Sequence, residues 1–297
     1  MTIHQKSQKN QKQEKMIPDH NRQNKIALIN DYSGFGRCSV AVQLPIISTM
    51  HVQCCPVPTS IFSNHTGFPE FYYSDFTDHM PTYIDMWEKL DLHFKGICTG
   101  FLGSSEQIGI VTDFIERFRR EDTTVLVDPV MGDYGSTYPT YTEKMCKEMI
   151  RLVSLADIAT PNLTEACILT GTPYKDKWKL TELESLAEAV ADLGVSKLVI
   201  TGIPQRSFLC NLCLDRTKKE PEIHLFKTHK VGTSRSGTGD IFSAILAADA
   251  VNEVEFSVSV KKASKFIKKC IMRAVEMDIP VTDGVPFEEV LSTLKWK

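Results

Sequence analysis

A chain of 297 residues with 42% hydrophobic and 24% charged residues is long enough for one large α/β domain or two small ones, and its composition excludes general disorder. A formal net charge of -3 gives no global electrostatic attraction to nucleic acid or to an anionic membrane, which leaves small molecules as the expected partners. Nine cysteines, an odd number scattered through apolar segments as at Cys98, Cys146, Cys167 and Cys270, fit reduced core residues of a cytoplasmic protein rather than a disulfide framework.

The first 24 residues carry charge and glutamine without an apolar core, so they read as a disordered tail and not as a signal peptide, with Met16 as an alternative start. Residues 25–297 read as one domain, since no repeat, linker or composition shift divides them. No run of about 18 apolar residues offers a membrane span. From Lys25, KIALIND is a short apolar run ending in Asn30-Asp31 and a glycine cluster, as expected of a buried strand feeding a loop. CSVAVQLPIISTM has helical spacing despite Pro45, and VQCCPVPTSI is the second predicted strand. KGICTGF, TTVLVDPVM, ADIATPN, SKLVITG and RSFLCNLCLD follow as strands. Between them EQIGIVTDFIERFRR, with Ile108, Val111, Ile115 and Phe118 at helical spacing, and YTEKMCKEMIRLVSL are predicted helices. Strands alternating with helices predict βαβ units and a parallel sheet covered on both faces. Cys210 and Cys213 have zinc or redox spacing, but no second pair completes a tetrahedral site and their apolar neighbours predict a strand. The last third is expected to be mostly helical. Ala263, Phe266, Ile267, Cys270, Ile271 and Ala274 make one apolar stripe there, and Lys261, Lys262, Lys265, Lys268 and Lys269 make a solvated face.

Ligands of an open parallel sheet sit beyond the carboxyl ends of its strands, where this chain places Asn30-Asp31, Asp128, Thr160-Pro161-Asn162 and Thr201-Gly202. The stretch VGTSRSGTGDIFSAILAADA is the most informative. Successive amides of Gly237, Thr238 and Gly239 can line one concavity, and a helix starting at or near Asp240 aims its positive end at the same point, a hole suited to a transferring phosphoryl group. Asp240 would repel phosphate, but it is well placed to take a proton from an attacking hydroxyl. Taken alone the motif also fits a glycine turn with an ordinary N-cap. A Walker loop fails because Thr238 stands where lysine is needed, and Gly34-Phe35-Gly36 is a broken dinucleotide motif, which disfavours a dinucleotide-dependent oxidoreductase.

DPVMGD supplies Asp128 and Asp133 after a strand, and TPNLTEA supplies Asn162 and Glu165 one helical turn apart, both able to reach one water or Mg²⁺. In the order DPVMGD, TPNxxE, GTGD, these resemble the ribokinase-like superfamily of small-molecule kinases over nearly everything from Lys25 onward. Within it, SNHTG at Ser63 to Gly67, TGF at Thr99 to Phe101 and ADIATPNLTEA are most similar to pyridoxal (vitamin B6) kinases. The resemblance implies a three-layer sandwich with a central, mostly parallel sheet flanked by helices. It also implies ATP-dependent phosphorylation of the 5′-hydroxymethyl group of a B6 vitamer. By carry-over Asp240 is the base and Gly237, Thr238 and Gly239 the anion hole. His65, Thr66, Phe101 and, on a covering flap, Tyr138 contact the substrate. Asp133 and Glu165, with Asn162, serve Mg²⁺, while Asp128 and Thr201 lie near the phosphates of ATP and a monovalent cation, K⁺ or Na⁺. A homodimer is implied as well.

One position departs from that pattern. Pyridoxal kinases usually carry Ser after the first strand, whereas Asp31 in INDYSGFG is more similar to the first loop of hydroxymethylpyrimidine (phosphate) kinases. A carboxylate there would favour a protonated ring nitrogen or an amino substituent, or else it caps the next helix. Pyridoxal, pyridoxamine and pyridoxine therefore stay open, hydroxymethylpyrimidine is the runner-up, and a sensor of the same fold without turnover is the non-enzymatic alternative.

Overall fold

The apolar run that begins at Lys25 becomes β1 (Lys25–Ser33) of a nine-stranded sheet in a computed structural model that describes residues 18–295. In chain order there follow α1 (Val40–Thr49), β2 (Gln53–Phe62), β3 (Tyr73–Asp75), α2 (Met80–Lys89), β4 (Gly96–Thr99), α3 (Ser105–Phe118), β5 (Thr124–Val127) and a small ribbon, β6 (Gly132–Asp133) with β7 (Ser136–Thr137). Then come α4 (Glu143–Val153), β8 (Ile158–Ala159), α5 (Leu163–Thr170), α6 (Leu180–Ala191), β9 (Lys197–Gln205), β10 (Phe208–Asp215), β11 (Glu222–His229), α7 (Thr238–Val251) and α8 (Phe256–Glu276).

The sheet runs β11-β10-β9-β8-β5-β4-β1-β2-β3. From β9 to β2 all neighbours are parallel; β3 at one edge and β10 with β11 at the other are antiparallel to their neighbours. Because β1 lies between β2 and β4, the progression of strands reverses there, and a crevice opens beyond the carboxyl ends of β1 and β4.

Alternate residues of each strand face opposite cores, as strand geometry requires. Ala27, Ile29, Ile97, Val125, Val127 and Leu198 pack under α2 to α6, whereas Ile26, Leu28, Cys98, Leu126 and Val199 pack under α1, α7 and α8. These are the three layers that the sequence implies. Helix α7 is apolar nearly all round, and Ile241 to Asp249 are buried against sheet and helices together. Cys210 faces the first core and Cys213 the second, so the two thiols point away from each other across β10. No helix among the described residues is long and apolar enough to cross a membrane.

The predicted strands SKLVITG and RSFLCNLCLD are β9 and β10, but helices do not follow them directly: β11 pairs antiparallel with β10 first, and helices occupy 238–276. The edge strand β11 escapes the sequence reading because Glu222, His224, Lys227 and His229 dilute its apolar positions. Of the tail assigned to residues 1–24, residues 1–17 lie outside the described residues. Asn21, within the remainder, donates to the Asp91 carbonyl (2.9 Å) and accepts from the His93 amide (2.8 Å).

Candidate active site

The crevice is organised by a buried asparagine. Asn30, at the end of the apolar part of β1, is 1% exposed and has all its polar capacity engaged. Its Nδ2 donates to Gln43 Oε1 (2.8 Å) and Asp240 Oδ1 (3.2 Å), and its Oδ1 accepts from the amides of Phe101 (2.8 Å) and Asp31 (2.9 Å). Gln43 in turn donates to Ser243 Oγ (3.0 Å). One side chain thus joins β1, the loop after β4, α1 and α7, and a buried network satisfied in this way holds a single geometry. Gly100 is required beside it, because a Cβ there would collide with the Asn30 amide.

Asp240 stands in the first turn of α7. Burial raises its pKa, while hydrogen bonds from the Ser39 amide and the Asn30 side chain favour the charged form. Gly237 caps the helix with φ 80° and no side-chain acceptor, which leaves the first-turn amides directed outward at the positive end of the helix. A Cβ on Gly237 would strike the Arg37 carbonyl, whereas the space before Gly239 is open. The Thr238 hydroxyl turns back to the Arg235 carbonyl (3.2 Å), so at this position the backbone and not the side chain faces the opening.

Asp31 is 5% exposed and accepts from Ser39 Oγ (2.6 Å) and Ser33 Oγ (3.0 Å). Burial, reinforced by the Asp240 charge against those two hydroxyls, pushes its pKa up to about 6. Ser39 therefore serves both acids, its hydroxyl on Asp31 and its amide on Asp240. The loop holds positive φ at Gly36 (103°), Arg37 (48°) and Ser39 (56°), a concentration of strain common where backbone shapes a functional site. Asp31 does not cap the next helix, because the N-cap of α1 is Ser39, without a side-chain cap; instead both of its oxygens are engaged inside the loop, as a brace between the loop's ends.

The remaining acids continue along the strand ends. Asp128 is raised by burial and by the Asp240 charge. Glu165 is 3% exposed, accepts from the amides of Met131 (3.2 Å) and Asn162 (2.7 Å), and is raised by burial and by Asp128. Asn162 accepts from the Glu165 amide (3.0 Å) and donates to the Gly132 carbonyl (2.8 Å). The pair shares a helical turn as its spacing predicts, but it does so as a reciprocal capping box on α5. Burial raises Asp133, whose Oδ1 takes the Tyr134 amide (2.8 Å). Thr201 bridges to Asn162 and donates its amide to Pro161 (2.9 Å). None of Asp31, Asp128, Asp133, Glu165 and Asp240 joins an ion pair among the described residues, so the row is short of cations. No three His, Cys, Asp or Glu side chains among the described residues converge on a metal position. The row supplies hard oxygen donors suited to Mg²⁺, with the rest of the shell left to ligand phosphates and water.

The flap expected at YGSTYP is the β6–β7 hairpin, turned by Tyr134 (φ 50°) and Gly135 (φ 81°) with Tyr134 74% exposed at its tip. Tyr138 follows, 39% exposed, its amide on Met131 (2.8 Å) and its phenol pushed up by burial and the nearby acids. Phe101 lies partly buried beside Phe62 (6.2 Å between rings). Thr66 is exposed. His65 differs from a free ring contact: Nδ1 accepts from the Gly67 amide (3.0 Å), so Nε2 carries the proton and donates to the Thr282 carbonyl (2.7 Å). Sequence reasoning placed Asn30 only at a strand end, and its signal was an amide inside the run KIALIND; Gln43, Ser39 and Ser243 left none.

A family model described as phosphomethylpyrimidine kinase matches residues 46–282. A Bacteroides thetaiotaomicron protein assigned as a phosphomethylpyrimidine kinase, solved in an orthorhombic form with pyridoxal, is 35% identical with a TM-score of 0.88, over 92% of this chain and 96% of that one. The pyridoxal kinase of Arabidopsis thaliana is 32% identical over 203 residues, which are 64% of this chain and 62% of the plant protein, less than two thirds of its length. The hydroxymethylpyrimidine/phosphomethylpyrimidine kinase of Haemophilus influenzae is 29% identical over 192 residues, 62% of this chain and 67% of that protein.

Proposed function

Because the chain belongs to the phosphomethylpyrimidine kinase family, we propose that it transfers the γ-phosphate of ATP to the 5′-hydroxymethyl group of a B6 vitamer, giving the 5′-phosphate and ADP. The observation that carries this reading is Asp240, tethered by Asn30 and Ser39 at the amide-lined start of α7. There a carboxylate of raised pKa would take the proton of the attacking hydroxyl while the Gly237 to Gly239 amides receive the charge of the transferring group. Asn30 orients the base, and the Ser39 amide, in a loop held at positive φ, gives it a second hydrogen bond. Mg²⁺ would be held by Asp133, with Asp128 and Glu165 acting through water, and would neutralise phosphate charge. Asp128 and Thr201 would stand near the phosphates and a monovalent cation. Thr66, Phe101, Tyr138 and the hairpin tip would enclose the ring, and His65 would shape that pocket through its loop.

A vitamer is favoured over hydroxymethylpyrimidine by the SNHTG loop and by the pyridoxal form of the Bacteroides relative. Asp31, the residue whose pattern resembles the pyrimidine kinases, is engaged by Ser33 and Ser39. All nine cysteines are free, which suits the reducing cytoplasm, and a homodimer completes the reading. The test is ADP release measured in parallel with pyridoxal, pyridoxamine, pyridoxine and hydroxymethylpyrimidine, with and without Mg²⁺. ADP formed with a vitamer and abolished by EDTA supports the proposal. Turnover of hydroxymethylpyrimidine alone replaces the acceptor, and binding without ADP replaces the enzyme by a sensor.

A further inference from the structure

Residues 280–284, between α8 and the last part of the described chain, present four backbone carbonyls to side chains from three separate loops. Arg235 donates from Nη1 to Pro280 O (2.9 Å) and Gly284 O (3.3 Å). His65 donates to Thr282 O (2.7 Å). Arg37 donates from Nη1 to Asp283 O (3.1 Å) and from Nε to the Glu288 carboxylate (3.0 Å). The segment is fixed at both ends: the Ile279 amide closes on Ala274 O (3.0 Å), and Val285 and Phe287 are buried in the second core. Gly284, with φ 74°, lies so close to Gly36 and Arg37 that no Cβ would fit.

Each of the three loops carries part of the site. Arg37 precedes Ser39, which holds Asp31 and Asp240. His65 belongs to the loop that bears Thr66. Arg235 stands two residues before Gly237, and its own carbonyl holds the Thr238 hydroxyl. Arg235 is 9% exposed, forms no ion pair among the described residues, and its Nε is buried without a hydrogen-bond partner. A desolvated cation without a counter-charge is costly, so its place is not explained by stability. What its planar fork provides is a fixed angle between the loop on which it sits and the carbonyls it reaches.

We infer that Pro280–Gly284 is a positioning strap for the phosphoryl transfer proposed above, with Arg235 setting the anion-hole loop in register with the acceptor loop. The functional consequence rests on that reading, while the mechanical one stands without it. Because His65 and Arg235 meet on one platform, loosening the Arg235 contact loosens the loop of residues 63–68, remote from it in sequence.

The experiment compares Arg235→Met and Arg235→Lys in the full chain with Arg216→Met, a control that releases Glu188 and Asp192 at the end of α6. Amide hydrogen exchange is read without ligand, and kcat and both KM values are read with ATP and the best vitamer. Arg235→Met is expected to speed exchange in residues 63–68 about fivefold or more. It should also raise KM for acceptor and ATP together, with Arg235→Lys in between and Arg216→Met at the wild-type value in 63–68. Wild-type exchange in 63–68 for Arg235→Met overturns the strap, as does an equal acceleration in Arg216→Met, which would mark a global loss of stability. If the wild-type chain forms no ADP with any acceptor, the proposed function fails, and the exchange data still decide the strap.

Discussion

Asp31→Asn separates the two meanings of Asp31 and has a magnitude that follows from its surroundings. Asn keeps the shape, accepts from one serine and donates to the other once that hydroxyl turns, but removes a carboxyl whose pKa rises from 3.8 unfolded to about 6 folded. Between those values the unfolded chain has released its proton and the folded chain still holds it, so stability falls as pH rises. The contribution is fully present below about pH 4 and gone above the folded pKa. Two pH units at about 1.36 kcal/mol each make a loss of at most about 3 kcal/mol. Urea unfolding of both proteins at steps from pH 4 to 7 should therefore show the variant gaining on wild type by about 2 to 3 kcal/mol across that range. Parallel stability curves would refute the buried brace. Parallel curves joined to a change of about tenfold or more in preference among vitamers would restore Asp31 as a ring contact.

Asp240→Asn should lower kcat by about 10² to 10⁴ in the ADP-release assay with KM little changed. Its Tm should rise at neutral pH, because a buried carboxyl of raised pKa is penalised there. A variant retaining more than roughly a hundredth of wild-type kcat would remove Asp240 as base. Gly237→Ala and Gly239→Ala should part company: the first clashes with Arg37 at a positive φ and costs about 1–2 kcal/mol or more by thermal unfolding. The second keeps its Tm but loses kcat and ATP affinity, since its methyl group enters the open space before the amides.

Much of this architecture follows from residues that act on their near neighbours. The alternation of β-branched runs with amphipathic helices states a parallel sheet, because each element must bury its own stripe. GTGD carries the expectation of an anion hole for the same local reason: glycine backbone and helix dipole lie within one turn of Asp240. Asn162 and Glu165 are legible as neighbours on one turn, although spacing alone cannot choose between a shared metal and a reciprocal cap, and the tertiary position of Met131 and Gly132 supplies the partners that select the cap. Asp31 is the same kind of case, since its engagement inside the loop depends on where Ser39 lies. The contact of Asn30 with Asp240, the engagement of His65 by Thr282 and the hold of Arg235 on residues 280–284 join positions far apart in the chain. Sequence by itself determined the layers and the chemical types at the strand ends, because periodicity and caps are local. Only the tertiary structure decided which carboxylate is tethered, which is a brace and which loops meet on one segment, because those depend on hydrogen bonds that exist once the crevice has closed.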